Sequence, residues 1–411
     1  MAEIIQKYLL VTSGNYAPGV KSDCQVSLEL CDDGGLQIEL VSKVKVFYGK
    51  SIVQLCQDIF RFFEVEHARL KIEDSGALPF VIAARLEAAL KQVFSTSREY
   101  LLPLIKENGY SSVRDRFRFS RLYLPGNNPY LMLNAGIHQP HGIILDLEDA
   151  VAPARKQEAR FLVRNALRSL DLYGVERMVR INQGERGIED LKYIVPHNVH
   201  LILVPKCEDA THIQNVEKEI ARLKGISGIE QDIYLMPIIE SALGVEKAFE
   251  IAISSPNIVA MAIGLEDYTA DMGVSRTSDA TESLYARTRF VNACHAAKIQ
   301  PIDSVFSDVA DLDGLARSVN VSKSLGFEGM GCIHPRQIKV IHENLAPDAE
   351  EVAKAQKIVD AFCKAEEQGL AVVSLGTKMI DPPVVKRHQK LIDLAVNLGM
   401  ISKDWRDNYE C

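Results

Sequence analysis

The residues best suited to chemistry are acids that follow apolar runs. Glu240 closes "IYLMPIIE", and Glu266 and Asp267 follow "VAMAIGL" in "IGLEDYTADMG". An apolar run that ends in carboxylates reads as a buried strand opening onto a site. Glu240 and Asp267 end adjacent strands in this reading, so their carboxylates converge, and such a pair repels unless a cation sits between. Hard oxygen donors in that number suit Mg2+, which keeps several waters and takes one or two protein carboxylates. Arg180 ends "RMVRIN", where a guanidinium can hold a substrate carboxylate in a two-bonded fork. Together they equip a site for a 2-oxo acid: the metal chelates its carboxylate and keto oxygen and stabilises an enolate as a Lewis acid. This suits carbon–carbon cleavage of a 3-hydroxyacyl compound, or the reverse condensation. Salt bridging of Glu240 and Asp267 to Lys206 and Arg180 is the purely structural alternative. Glu148, Asp149 and Lys206 are further candidates on the same rim, and the choice of base among them stays open. Asp271 falls in the following turn, as a cap. His334, before a proline in "CIHPRQ", suits loop positioning as well as chemistry.

These residues need elements that bring them together. Eight short apolar runs recur between residues 117 and 335: "FRFSRLYLP", "GIILDLED", "RMVRIN", "LILVPK", "IYLMPIIE", "VAMAIGLED", "IQPIDSVFSD" and "GFEGMGCIHP". Rich in Ile, Val and Leu, they read as buried parallel strands. Amphipathic stretches such as "ARKQEARFLVRNALRSL" lie between them and read as helices. Strand and helix repeated eight times predict an α/β fold, a (β/α)8 TIM barrel. A doubly wound sheet is the runner-up, but no glycine-rich dinucleotide turn follows the first strand. Six of the eight runs end in polar or charged groups. In a barrel those ends share one face, which is where catalytic residues sit.

Residues 1–95 differ. "CQVSLELCDDGGLQIELVSK" predicts a β-hairpin, and two helices and a further strand, "ARLKIED", complete a small α+β domain. Residues 96–117 read as a polar, flexible linker, 118–345 as the barrel, and 346–411 as a C-terminal helical lid or oligomerisation segment.

The chain has 411 residues, 47% hydrophobic and 25% charged, ordinary for a globular protein of two or three domains. Its net charge of -8 argues against nucleic acid as a partner. No apolar run approaches the ~20 residues of a membrane span. The N-terminus lacks a secretory pattern, and a cytoplasmic location is expected. Eight cysteines without a C-x-x-C pair read as free thiols, not a zinc site.

"RLYLPGNNP", "GIILDLEDAVAP", "VRIN", "LVPK", "PIIESALGV", "GLEDYTADMG", "LYARTR" and "GFEGMGCIHPRQ" occur in this order. Over about residues 117–390 the chain resembles the citrate lyase beta subunit and the malyl-CoA and citramalyl-CoA lyases. The resemblance implies a magnesium-dependent barrel, an oxo-acid-lyase that cleaves citryl-, malyl- or citramalyl-type thioesters into an acyl thioester and a 2-oxo acid. It selects Asp267 over Glu266 as the second metal ligand beside Glu240, leaving Glu266 a supporting role, and makes Arg180 the oxo-acid clamp. It also implies that Asp381, in "KMIDPP", reaches a neighbouring subunit's site and handles the proton on the thioester α-carbon. A homotrimer or hexamer follows from that. Residues 12–92, with "DSGALPFVIAARLEAAL", resemble the citrate lyase acyl carrier (gamma) subunit. By that resemblance Ser22, in "VKSDCQV", is the candidate attachment point for a phosphoribosyl-dephospho-CoA arm. Lys21 stands where the carrier family usually has glutamate. Free coenzyme A thioesters are the other carrier of substrate, and further lyase-complex subunits are candidate partners. A malyl-type thioester hydrolase and a non-catalytic carrier–barrel scaffold are the alternative functions.

Overall fold

The computed structural model describes residues 3–4, 8–277, 279–367, 373–375 and 378–406. All eight apolar runs form strands: β5 (Ser120–Pro125), β6 (Gly142–Asp146), β7 (Glu176–Arg180), β8 (Leu201–Val204), β9 (Tyr234–Ile239), β10 (Ala260–Ile263), β11 (Gln300–Asp303) and β12 (Gly329–Cys332). They pair in parallel in chain order, and β12 closes on β5 through Met330 beside Ser120. The closed barrel leaves no edge strand, and its interior is packed by Ile144, Met178, Leu203, Met236, Ala260 and Ile302. Each strand except β5 and β9 is only four or five residues long. The polar residues that follow are therefore set on the rim by loop and helix starts rather than by strand pleat. The clearest case is β10, which ends at Ile263, so that Glu266 and Asp267 lie in the first turn of a helix, Leu265–Asp271. Strand alternation therefore does not set the directions of these two acids. Consecutive helical positions separate them instead.

Preceding the barrel, β1 (Val11–Gly14), β2 (Cys24–Leu30), β3 (Leu36–Ser42) and β4 (Ala68–Asp74) form one sheet in the order β1-β2-β4-β3. The expected hairpin between β2 and β3 is not formed. Strand β4 lies between them, antiparallel to β2 and parallel to β3, with seven residue pairs on each side. Its inward residues Ala68, Leu70 and Ile72 are buried. Inserting this alternating strand gives both neighbours a full ladder, and helix α1 (Lys45–Phe62) is the crossover that the parallel β3–β4 pair requires.

This module is fastened to the barrel. Helix α2 (Pro79–Val93) packs along α3 (Lys156–Ser169), the helix after β6. Arg164 donates to both oxygens of Glu87, at 3.1 and 2.6 Å. Arg85 forks onto Asp23, at 3.0 and 2.9 Å, and lies 3.4 Å from Glu158. Glu158 in turn accepts from the Ser13 hydroxyl and the Gly14 amide. The stretch expected to be a flexible linker also packs down. Ile105 donates its amide to the Arg168 carbonyl, Tyr110 its hydroxyl to the Val175 carbonyl, and Arg114 reaches the carbonyls of Pro256 and Ile258. These contacts tie it to the barrel, and residues 1–338 form one compact unit.

Residues 339–411 form a second unit. Within it, helices Ala349–Glu367 and Pro382–Asn397 pack through Ala355, Val359 and Ile392, and Val373–Leu375 pairs antiparallel with Lys378–Ile380. No helix among the described residues is long and apolar enough to cross a membrane.

Candidate active site

A pocket of ≈ 390 Å³ opens at the C-terminal ends of the barrel strands. Asp146, Asp149, Arg180, Glu240, Glu266 and Asp267 line it together with Arg121 and Tyr123. Glu148 and Lys206 join through ion pairs to these residues.

Glu240 is 5% exposed, and its Oε1 accepts the Lys206 backbone amide at 2.8 Å. Burial first, then the negative charge of Glu148, raise its pKa to about 8. The position is shaped by Gly264: a Cβ there would stand 2.6 Å from Glu240 Oε2. Lys206 reaches the second acid as well, its Nζ lying 3.2 Å from Asp267 Oδ1. One residue thus holds both carboxylates, and it does so from a left-handed backbone, φ 48°. Burial lowers the Lys206 pKa, but the hydrogen bond to Asp267 and the charges of Asp267, Glu240 and Asp149 together raise it.

Arg180 is enclosed by three acids. Its Nε and Nη2 donate to Asp146 at 2.7 and 2.6 Å. Its Nη1 lies 3.0 Å from Glu148 and 3.5 Å from Asp149. Burial opposes its charge, yet the bonds to Asp146 leave its pKa raised. The fork read as free for a substrate carboxylate is therefore held by Asp146. Asp146 also accepts the amides of Glu148 and Ala150, so it builds the loop that carries Glu148 and Asp149. Gln183 donates to Glu148 Oε1 at 2.7 Å. Burial raises the Glu148 pKa against the pull of Arg180.

The other candidates separate. Glu266 pairs with Arg276 at 2.8 Å, and Asp271 accepts the Ala242 amide, holding the loop after β9. His334 accepts the Arg336 amide through Nδ1, which is a loop-positioning contact. Ser22 has φ 56° and lines a neighbouring groove with Tyr123, Leu131, His138, Ala150 and His334. Tyr123 and Ala150 also line the barrel pocket. Asp381 belongs to the second unit, where its Oδ1 accepts the Val384 amide and caps the last helix.

The sequence reading missed two pocket residues, Arg121 and Tyr123, on β5. Their signal was positional: residues 121 and 123 share the inner face of a barrel strand, where an arginine and a tyrosine have no apolar reason to be. The guanidinium of Arg180 lies 5.4 Å from the Tyr123 ring centre.

Residues 120–335 match the family model described as HpcH/HpaI aldolase/citrate lyase. The chain belongs to this family. Residues 19–93 match an acyl carrier model described as malonate decarboxylase delta subunit, which accords with the carrier character expected of the N-terminal module. The citrate lyase beta subunit of Leuconostoc mesenteroides subsp. cremoris is 38% identical over 290 residues, covering 68% of this chain and 94% of that protein. The mitochondrial citramalyl-CoA lyase of Rattus norvegicus is 31% identical, covering 77% and 97%. Among solved structures, the protein CitE of Mycobacterium tuberculosis, in complex with magnesium, acetoacetate and coenzyme A, aligns with a TM-score of 0.57 at 26% identity, covering 69% of this chain and 99% of that one. As a citrate lyase family member the protein is a carbon–carbon lyase.

Proposed function

We propose that the barrel pocket cleaves a 3-hydroxyacyl thioester of the citryl, malyl or citramalyl type into an acyl thioester and a 2-oxo acid. The observation that carries this is the pairing of Glu240 with Asp267 at one pocket that also holds Arg180. Glu240 is a buried carboxylate with one hydrogen-bond donor, and burial with Glu148 nearby disfavours its charge. A hard divalent cation removes that penalty, so the donor set fits Mg2+. Bound there, Mg2+ supplies Lewis acidity at the oxygen that becomes the keto group.

The protein's own groups account for the rest. Arg180 is aimed by Asp146, and its Nη1 is the part of the guanidinium that a substrate carboxylate would take over from Glu148 and Asp149. Glu148 is tied to Gln183 and Arg180 and sets the position of that guanidinium. Asp149 lines the pocket and is half exposed, which suits the base that takes the hydroxyl proton. The carbon–carbon bond then breaks, its electron pair passes to the thioester enolate, and the α-carbon takes up a proton. Asp381 of a neighbouring copy is our candidate for that proton, in a trimer or hexamer. Lys206 bonds to both Glu240 and Asp267.

The carrier-like module fits this reading as a fixed arm. Asp23 is locked by Arg85, and the Ser22 amide donates to the Ser75 carbonyl. Ser22 faces a groove whose walls continue into the pocket, which supports it as the attachment point of a phosphoribosyl-dephospho-CoA arm. With free coenzyme A thioesters, the same groove receives the pantetheine. The test is product identity. Protein with Mg2+ and malyl-, citramalyl- or citryl-CoA should release glyoxylate, pyruvate or oxaloacetate, with acetyl-CoA. Free hydroxy acid with unacylated CoA would instead mark a hydrolase. Intact mass from the native host should show the arm on Ser22, absent in S22A.

A further inference from the structure

Arg121 is the one arginine of the barrel pocket without a counter-charge. It is 1% exposed, yet its side chain lines the pocket. Among the described residues its Nη1 has only the thioether sulfur of Met236, at 2.9 Å, and its Nε has no partner. Among the described residues no carboxylate forms an ion pair with it. The pocket acid Asp303 is fully engaged elsewhere. Its Oδ2 accepts from Arg287 and the Ser322 hydroxyl, and its Oδ1 from the Ser304 amide. Arg180, by contrast, is surrounded by Asp146, Glu148 and Asp149.

Gly331 stands beside this guanidinium. A Cβ on Gly331 would lie 3.7 Å from Arg121 Nη2, 3.3 Å from the Tyr123 ring and 2.8 Å from Val305. Gly331 lines the pocket, so the lack of a side chain there leaves the Arg121 guanidinium facing it. A buried, unpaired cation costs several kcal/mol, and removing one partner of a buried pair is costly for the same reason. A ligand anion that completes the pair recovers that energy, and a carboxylate does so with two parallel hydrogen bonds.

We infer that Arg121 binds a second carboxylate of the substrate, so that the pocket selects a 2-oxo dicarboxylate over a 2-oxo monocarboxylate. This rests on the lyase reading above: one end of the oxo acid lies with Glu240, Asp267 and Arg180, and Arg121 takes the other. Its neighbour Tyr123 stands between the two arginines, with Arg180 over its ring and Arg121 at its side. The residue sets which acid fits and has no part in bond cleavage.

Calorimetric titration of Mg2+-loaded protein with oxaloacetate and with pyruvate tests this. Wild type binds oxaloacetate at least about 10-fold more tightly than pyruvate. Arg121→Met, which fills the space against Met236, weakens oxaloacetate by on the order of 100-fold and leaves pyruvate within about 2-fold. Arg121→Lys keeps part of the preference, because it restores charge without the fork. Equal affinity for the two acids in wild type overturns the inference, as does equal weakening of both acids by both variants. If wild type binds neither acid, the lyase reading itself fails and takes the inference with it. Pyruvate binding without a dicarboxylate preference removes the role of Arg121 alone.

Discussion

Arg164 and Glu87 face each other with both side chains fully buried, joined by hydrogen bonds of 3.1 and 2.6 Å. One belongs to the barrel and the other to the carrier-like module, so the two are one folded body and the module does not swing on a leash. Asn165 adds a bond to the Phe80 carbonyl across the same contact. Glu87→Ala leaves the buried Arg164 with the part-exposed Glu99 as its remaining carboxylate partner and is expected to lower unfolding free energy by about 3–5 kcal/mol. Urea unfolding of wild type and variant measures it. A change under about 1 kcal/mol would mean that the module is loosely held.

Gly264 is predicted to be intolerant of even a methyl group. Its φ is -106°, so backbone conformation is no obstacle. The obstacle is Glu240, whose Oε2 and Cβ lie 2.6 and 2.9 Å from where the methyl would be. Gly264→Ala should displace the Glu240 carboxylate and reduce kcat/KM at least about 10-fold, which is roughly 1.4 kcal/mol of transition-state binding. Thermal stability should change little. Steady-state kinetics beside a melting curve separate the two effects, and full activity in the variant would refute the placement of Glu240.

Two buried histidines set an acid limit on stability. Burial, then Arg164 and Arg168, lower the His197 pKa to about 3; burial and Arg177 do the same for His200. His197 Nδ1 lies 3.2 Å from Arg168, with Glu99 at 3.9 Å, and His200 meets the Arg177 guanidinium and the Tyr110 carbonyl. Their folded pKa values lie below the unfolded value of about 6.5, so the unfolded chain binds more protons as pH falls through that range. Stability is present above pH 6.5 and declines below it. Between pH 7 and pH 5.5 the two should contribute a loss of about 2.5 kcal/mol. Replacing both with Gln should flatten this part of the pH–stability curve. An unchanged slope would place the acid sensitivity elsewhere.

The barrel was legible because its strands are apolar on both faces and end in polar residues. The pocket acids Glu240 and Asp267 were legible for the same reason, each following such a run. What escaped was tertiary. Arg85 and Glu87 lie on an amphipathic helix, where sequence alone cannot tell a solvated charge from one buried against another domain's Glu158 or Arg164. The strand Ala68–Asp74 could not be seen to intervene between two strands separated by an inviting Asp-Asp-Gly-Gly turn. Glu266 and Asp267 looked like strand residues because the apolar run gives no sign of stopping at Ile263. Arg121 sat inside a run read for its hydrophobicity, and its significance is the absence of a partner, which only the folded chain can show.

The account stands most directly on the two carboxylates at the pocket. The decisive measurement is the rate of 2-oxo acid release from a malyl-, citramalyl- or citryl-CoA substrate as Mg2+ is titrated into metal-free wild type, Glu240→Gln and Asp267→Asn. Wild type should be inactive without the ion and saturate with it. Each variant should lose on the order of 100-fold or more in kcat/KM, with a weakened Mg2+ response and an unchanged fold by circular dichroism. Undiminished, magnesium-independent release from either variant would contradict the account.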